Sequence, residues 1–505
     1  MNGLGQNGVL AVKWSVVFTV GRFLLQMAAQ VVLARTLGPE LFGVFAIGLV
    51  VFTFSTFVSS FGFSWSLLQR TTLQDEDIRF ALTWQLLVGI VAMLALYFLA
   101  PALAIYFKEP RAQSVIEWMS VACLLTAAAS PATYLLQRDL NFRASGLIQV
   151  VSYAVGYLIV GVPMALLGWG TTSLVTAWLV QAAALLVFSY ALKPHPLRLL
   201  FWYSGAASAF GTGRAVFLTN IVNWFLNNLD RIVIGRLLNA QSLGLYNVAY
   251  NLATLPNTIL LGSLQPAFLA AGARLQNDLQ RLGQAYQQML ATVFVLGLPA
   301  FVFLALIAAD LVRFLYGPQW NEAGWVMGIL LLGMPAYVVW GLSTPVLWNT
   351  GRKHYEFVLQ LPILLLGVLG FYMFASQGIR TAAVIAVLLL VLRAIVIGSA
   401  AIHALKLSWT TLLPHVGRGL LLSILCAAGV LAGQKLVAHF NIPLLSITAG
   451  SVASLSILLL LIVVRPQLLG DHTIAMIIRF FPRLANLLNK ASREPTSQTL
   501  GEHRL

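Results

Sequence analysis

Apolar runs of helix-spanning length recur from one end of this chain to the other, and they decide what it can fold into. Leu41 to Phe63, Leu86 to Phe107, Leu147 to Leu167, Ala382 to Leu405 and Leu444 to Val464 approach or exceed the roughly 20 residues that cross a bilayer as helix. Only 9% of the 505 residues are charged and 59% are hydrophobic, against about a quarter charged in a soluble domain. The membrane is therefore the solvent for the whole chain, and the fold class is an all-α polytopic membrane protein. Spans are expected near 9–34, 41–63, 80–107, 115–137, 147–168, 171–192, 214–238, 243–267, 284–309, 324–349, 356–376, 379–405, 418–440 and 444–464, about 14 in all.

The neutral, polar Met1 to Gly8 and the lack of a small-residue cleavage site after the first apolar stretch give no sign of a removable signal, so the first helix is expected to stay. Cys123 and Cys426 both fall inside apolar runs, where a thiol is a small packing residue rather than a disulfide or zinc ligand. The formal charge of +15 invites a nucleic-acid reading, since clustered Lys and Arg neutralise phosphates. Here they sit singly in short connections, so no nucleic-acid partner is expected. Connections bearing Arg70 and Arg79, Arg138 and Arg143, Lys193 and Arg198, Arg274 and Arg281, and Arg352 and Lys353 alternate with poorer ones. By the positive-inside rule both termini of this multi-pass chain are expected in the cytoplasm.

A comparison of the chain with itself finds an internal repeat. Lys13 aligns with Arg214, an offset of 201 residues, and at that offset Gln26 meets Asn227, Gln30 meets Arg231, Arg35 meets Arg236, Gly43 meets Gly244 and Asp77 meets Asp278. An even number of spans separates the copies, so both halves have one orientation, related by an axis along the membrane normal. The expected organisation is a first six-helix lobe (1–192), a cytoplasmic inter-lobe connection (193–213), a second six-helix lobe (214–405), an extra helix pair (406–464) and a basic cytoplasmic tail (465–505). Within that tail Met476 to Lys490 mixes apolar and basic residues and suits an interfacial segment.

The first helix of each lobe carries a polar stripe. Ser15, Thr19, Arg22, Gln26 and Gln30 recur at spacings of three and four in one; Asn220, Asn223, Asn227 and Asp230 or Arg231 do so in the other. Such spacing is a single helix face. Arg or Asp at mid-helix in lipid costs roughly 2.5 to 3.5 kcal/mol, so the stripes must face protein or a water-filled cavity. Interhelical hydrogen-bond glue is the plain alternative for the amides; Arg22 and Arg231 favour a cavity. Adjacent residues do not face each other on a helix, so Asp230 is not expected simply to neutralise Arg231. Lys13, Arg214 and Arg393 are candidate entry or secondary charges. Phe314 to Trp320 (FLYGPQW) reads as an interfacial turn with aromatic anchors.

Catalytic constellations are missing. Acidic residues are few, the seven histidines lack ligand spacing and no P-loop occurs, so no enzyme activity, cofactor or metal is expected. Asn227 to Pro256 (NNLDRIVIGRLLNAQSLGLYNVAYNLATLP), Leu33 to Phe45 (LARTLGPELFGVF) and Leu315 to Ala323 (LYGPQWNEA) resemble the Wzx oligosaccharide flippases of the MOP superfamily, closest to the colanic-acid exporter type. Asn239 departs from that pattern, which usually has glycine there. The resemblance implies alternating-access transport of an undecaprenyl-diphosphate-linked oligosaccharide for exopolysaccharide, capsule or O-antigen (lipopolysaccharide) synthesis. Membrane lipids, a polysaccharide polymerase and a chain-length regulator are the other partners implied. A proton or sodium ion as coupling ion stays open, as do a lipid II type flippase, a cation-coupled multidrug exporter of the same superfamily and, from another class, a membrane glycan polymerase or ligase.

The charge alternation can be tested directly. In a Cys123→Ser, Cys426→Ser background, an impermeant thiol reagent applied to intact spheroplasts should label Glu109→Cys and spare Asn141→Cys; the reverse pattern would invert the map.

Overall fold

The computed structural model describes residues 2–59, 67, 72–139, 141–203, 214–274, 278–470 and 474, and within these the side chains of 2–17, 58–59, 214–220, 263, 266–267, 270–271, 273–274, 353, 462–463 and 466 lie outside the described set. The tail segment Met476 to Lys490 and residues 204–213 of the expected inter-lobe connection lie outside the described residues. Every regular element among the described residues is helical. In chain order these are α1 (Asn2–Ser59), α2 (Asp75–Phe107), α3 (Ala112–Arg138), α4 (Phe142–Leu166), α5 (Thr171–Leu192), α6 (Arg214–Leu237), α7 (Ala240–Arg274), α8 (Leu279–Tyr316), α9 (Asn321–Asn349), α10 (Lys353–Phe374), α11 (Ile379–Ala404), α12 (Leu413–Val437) and α13 (Pro443–Val464). Eleven helices among the described residues are long and apolar enough to cross a membrane. The spans expected at 9–34 and 41–63 are two legs of α1, and those at 214–238 and 243–267 are α6 and α7, which are not among the eleven. Asparagines dilute the apolar content of both, at 223, 227 and 228 in α6 and at 247, 251 and 257 in α7.

The break in α1 falls at Gly38, with φ 74° and ψ 173°. Glycine takes positive φ without a Cβ penalty, and Pro39 restarts the second leg where no N–H is needed. At the offset of 201 residues the second break, between α6 and α7, falls at Asn239. It uses another device: Asn239 Oδ1 accepts the Ser242 N–H at 2.8 Å, an N-cap rather than a left-handed residue. Asp77 and Asp278, 201 residues apart, both cap helices. Asp77 Oδ2 accepts the Gln74 N–H at the start of α2, and Asp278 Oδ1 accepts the Arg281 N–H at the start of α8. Two widened π turns, Ala154–Gly161 in α4 and Val293–Gly297 in α8, each end within two residues of a proline, Pro163 and Pro299. Proline supplies no N–H to the ladder there, so the turn relaxes.

Contacts divide the chain into two compact units, Met1–Asn247 with Phe371–Ile379, and Val248–Gly370 with Arg380–Leu505. Within the first, α2 packs on α3, α3 on α5, and α1 on α3 and α4. Small residues let backbones meet. A Cβ on Gly43 would stand 1.6 Å from the Ala240 carbonyl oxygen, and one on Gly244 would stand 2.0 Å from that of Pro39. The two contacts interchange at the 201-residue offset. The start of the connection after α5 is extended and tied to α2, whose side chains satisfy its backbone. Arg79 Nε donates to Arg198 O (3.0 Å), Trp84 Nε1 to Phe201 O (3.0 Å), and Leu200 N to Thr83 Oγ1 (2.7 Å). Tyr203 OH donates to Asp77 Oδ1 (2.5 Å). Burial lowers the pKa of His195 in this strap and favours its neutral ring.

In the second unit α8 packs on α9 and on α12, and α12 on α13. Gly419, Gly429 and Gly433 of α12 leave no room for a Cβ against Phe294 O, Ser454 Cα and Ala449 O, the small-residue packing that membrane helices favour. Gly317, at φ 97°, reverses the chain after α8. Trp320 and Tyr316 are then fully buried, not anchors at the membrane surface, because that turn directs their rings inward. The lipid-facing surface is carried instead by exposed apolar residues such as Phe98, Ile105, Leu365, Tyr372 and Leu460.

Gly43→Ala and Gly244→Ala should each destabilise the protein by about 1–3 kcal/mol through overpacking. Gly262→Ala, with open space at its Cβ position, should not. Melting in detergent distinguishes them, and equal melting of all three would deny the close approach.

Candidate functional site

The stripe that contains Arg22 lies on the first leg of α1. Arg22 is half-buried, and its Nη1 donates to Gln149 Oε1 on α4. One turn further along α4, Tyr153 stacks on Tyr157 with ring centroids 4.6 Å apart. Gln149 thus fixes one edge of the guanidinium. Gln26 and Gln30 follow at intervals of one turn, both half-buried, and neither makes a hydrogen bond among the described residues. Neither is among the fully enclosed polar atoms that lack partners. Their amides therefore reach open space, which glue residues would not.

On α6, Asn223 and Asn227 are half-buried, as is Arg231. Arg231 folds back along its own helix: Nη2 donates to Asn227 O at 2.7 Å, and Nε stands 3.8 Å from Asp230 Oδ1. The adjacent pair does meet, at long range, because the arginine side chain curls. Asp230 is 5% exposed and turned into protein. Its Oδ2 accepts from Tyr246 OH at 2.7 Å and its Oδ1 from the Arg231 N–H at 2.7 Å. The tyrosine on α7 is thus the further partner that Asp230 requires. The side chains of Lys13, Arg214 and Asn220 lie outside the described residues.

Arg393, on α11 in the second unit, is 2% exposed, with its guanidinium 3.6 Å above the Trp340 ring, close enough for a strong cation–π contact. The spans hold a further acid besides Asp230. Glu356, at the start of α10, is 1% exposed and accepts from Trp348 Nε1 (2.9 Å), Thr344 Oγ1 (3.3 Å) and Gln360 Nε2 (3.3 Å). Its place at the end of an apolar run hides it from a hydropathy reading. Gln149, a lone amide inside an apolar run, was the available signal for the Arg22 partner; nothing in the sequence marks Tyr246.

An apolar groove of about 470 Å³ in the first unit is walled by Phe54, Leu96, Trp224 and Phe225, with Tyr106 at one end. The Arg236 guanidinium lies 5.2 Å from the centre of the Tyr106 ring. Beyond α2, Arg111 donates to Glu109 (2.8 Å) and Glu40 (2.7 Å), and holds the Glu109 carboxyl below the usual range.

A family model described as "Polysaccharide biosynthesis protein" matches residues 32–324. The chain is similar to the lipopolysaccharide biosynthesis protein WzxC of Escherichia coli (strain K12), 26% identical over 324 residues, 63% of this chain and 65% of that protein. It is also similar to the succinoglycan biosynthesis transport protein ExoT of Rhizobium meliloti (strain 1021), 28% identical over 336 residues, 66% of each. The match spans a little under two thirds of the length of these relatives. Of solved structures, a lipid II flippase, MurJ, in an inward closed conformation aligns with a TM-score of 0.66 at 14% identity over 88% of this chain and 98% of that one. An inward-facing MATE family multidrug resistance transporter of the MOP superfamily aligns at 0.56, also at 14%, over 76% and 95%. At such identity the likeness is one of fold.

The two environments predict opposite responses. Tyr246→Phe removes a hydrogen bond to a buried carboxylate and should cost about 1–3 kcal/mol. Gln26→Ala and Gln30→Ala should leave the melting temperature in detergent unchanged. Melting losses at the glutamines would make them glue.

Proposed function

Because the chain belongs to the polysaccharide biosynthesis protein family, we propose that it is a flippase. It moves a polyprenyl-diphosphate-linked oligosaccharide repeat unit across the bacterial inner membrane by alternating access, with both termini in the cytoplasm. One observation carries this reading: Gln26 and Gln30 lie one and two turns beyond Arg22 on a membrane helix, and their amides have no protein partner among the described residues. Hydrocarbon would penalise such groups; a hydrated path for a sugar head would use them.

The substrate divides into a head that cannot enter hydrocarbon and a tail that can stay there. Arg22 and Arg231 are the anion-binding residues, since guanidinium matches phosphate oxygens in a planar fork. Gln26, Gln30, Asn220, Asn223 and Asn227 take sugar hydroxyls. Asp230 acts from behind, held by Tyr246, and keeps the Arg231 backbone in place. Arg393, stacked on Trp340, is a fixed charge of the second lobe, and Lys13 and Arg214 serve the cytoplasmic entry. The apolar groove takes part of the polyprenyl tail, with Arg236 at its Tyr106 end suited to the diphosphate. An inside-negative potential helps an anionic head outward by roughly 2.3 kcal/mol per charge per 100 mV; a coupled proton or sodium ion is a further source. A polymerase and a chain-length regulator act on the product. The protein carries out no bond chemistry.

In cells, Arg22→Ala and Arg231→Ala should abolish or strongly reduce polymer export with normal insertion, a loss of about 1.5 to 3 kcal/mol of head-group binding. Arg→Lys at either site should keep part of the activity, and Arg35→Ala and Arg380→Ala should be mild. Lipid-linked precursor should persist or rise in a deletion strain. Normal export by the Arg22→Ala and Arg231→Ala variants, with failure of Arg35→Ala and Arg380→Ala, would move the path elsewhere.

A further inference from the structure

A second polar site lies inside the second unit, where the end of α8 meets the extra pair α12 and α13. It is a cavity of about 300 Å³ lined by Asp310, Arg313, Gln434, Lys435, Asn441 and Ser446, among others. Asp310 Oδ2 accepts from Ser446 Oγ at 2.5 Å and from Gln434 Nε2 at 3.4 Å. Those bonds tie three helices together, and a purely structural role would end there. The second carboxylate oxygen of Asp310, however, has no partner among the described residues. Lys435 also has no hydrogen-bond or ion-pair partner among them. Arg313 donates to Asn441 Oδ1 at 3.1 Å, and Asn441 holds a left-handed φ of 51°. Asparagine tolerates that region, and Asn441 there closes the turn that follows α12.

The charges present, one carboxylate and two cations around one small cavity, do not suit a simple anion, which would meet Asp310. They suit a ligand with an amine and a phosphate on one short linker. Ile442 of the lining is 53% exposed, and Leu436 and Phe440, next in sequence to the lining residues Lys435 and Asn441, are exposed at 75% and 55%, apolar surface that lipid chains would cover. We propose that this cavity binds the head group of a primary-amine phospholipid, phosphatidylethanolamine. Its ammonium donates to the free oxygen of Asp310, its phosphate lies against Lys435 and Arg313, and its chains run along Leu436 and Phe440. A primary ammonium offers three donors and fits an acceptor carboxylate; a choline head has none, and a glycerol head has no cation. The bound lipid would clamp the extra helix pair to α8.

Native mass spectrometry of the purified full chain with equal amounts of phosphatidylethanolamine, phosphatidylcholine and phosphatidylglycerol tests this. The wild type should retain the ethanolamine lipid about tenfold over either other lipid, the difference one charged hydrogen bond makes. Asp310→Asn keeps an acceptor for Ser446 and should lose the preference for the ethanolamine head. Lys435→Gln, at an exposed and unpartnered position, should lower retention of that lipid with unchanged melting. Free phosphoethanolamine should not displace it, because the chains contribute to binding. Equal retention of all three lipids by the wild type would overturn the proposal, as would a glycerol-lipid preference, displacement by the free head group, or a preference that survives both substitutions.

Discussion

The cost of an unsatisfied polar group in hydrocarbon governs this protein. Helix satisfies the backbone along each apolar run, so the remaining decisions concern the few places where the helix stops and the few side chains that carry polarity into the membrane. Each break has its own device: a left-handed glycine at Gly38, an asparagine cap at Asn239, and widened π turns ahead of Pro163 and Pro299. The extended strap after α5 obeys the same rule, borrowing donors and acceptors from the side chains at the start of α2.

The same constraint sorts the polar side chains into two kinds. Asp230, Glu356 and Arg393 are nearly sealed from solvent and held by aromatic or hydroxyl partners: Tyr246 for the first, Trp348 and Thr344 for the second, the Trp340 face for the third. They fix helices. Gln26 and Gln30 are half-buried and unengaged among the described residues, and Arg22 is held at one edge while the rest of its fork stays available. Residues that look alike in a hydropathy reading therefore divide into structural and exposed groups, and that division is what makes a hydrated path on α1 a chemical claim.

Close backbone approach is the other recurring theme. Gly43 and Gly244 bring the two helix breaks of the first unit into reciprocal contact with Ala240 and Pro39, and glycines of α12 do the same for the extra helix pair. Without hydrophobic driving force between helices in lipid, van der Waals contact of this kind has to hold them together.

The helical class, the apolar spans and the positions of the polar stripes were legible in the sequence, because bilayer thickness sets the length of a span and the helical repeat sets its faces. The family, too, could be read from short motifs around Asn227 to Pro256. The dilution of α6 and α7 by asparagines is itself a sequence feature; that Trp320 turns inward is not, since it depends on one glycine turn. Which polar residues are engaged and which stand open was decided only in three dimensions. Arg22 with Gln149 is separated by 127 residues, and Asp230 with Tyr246 by a helix break; Asp310 gains its meaning only when Gln434 and Ser446 arrive from helices more than a hundred residues away. Period and composition act along the chain. Hydrogen-bond satisfaction acts across it, and only the packed helices show where it is complete.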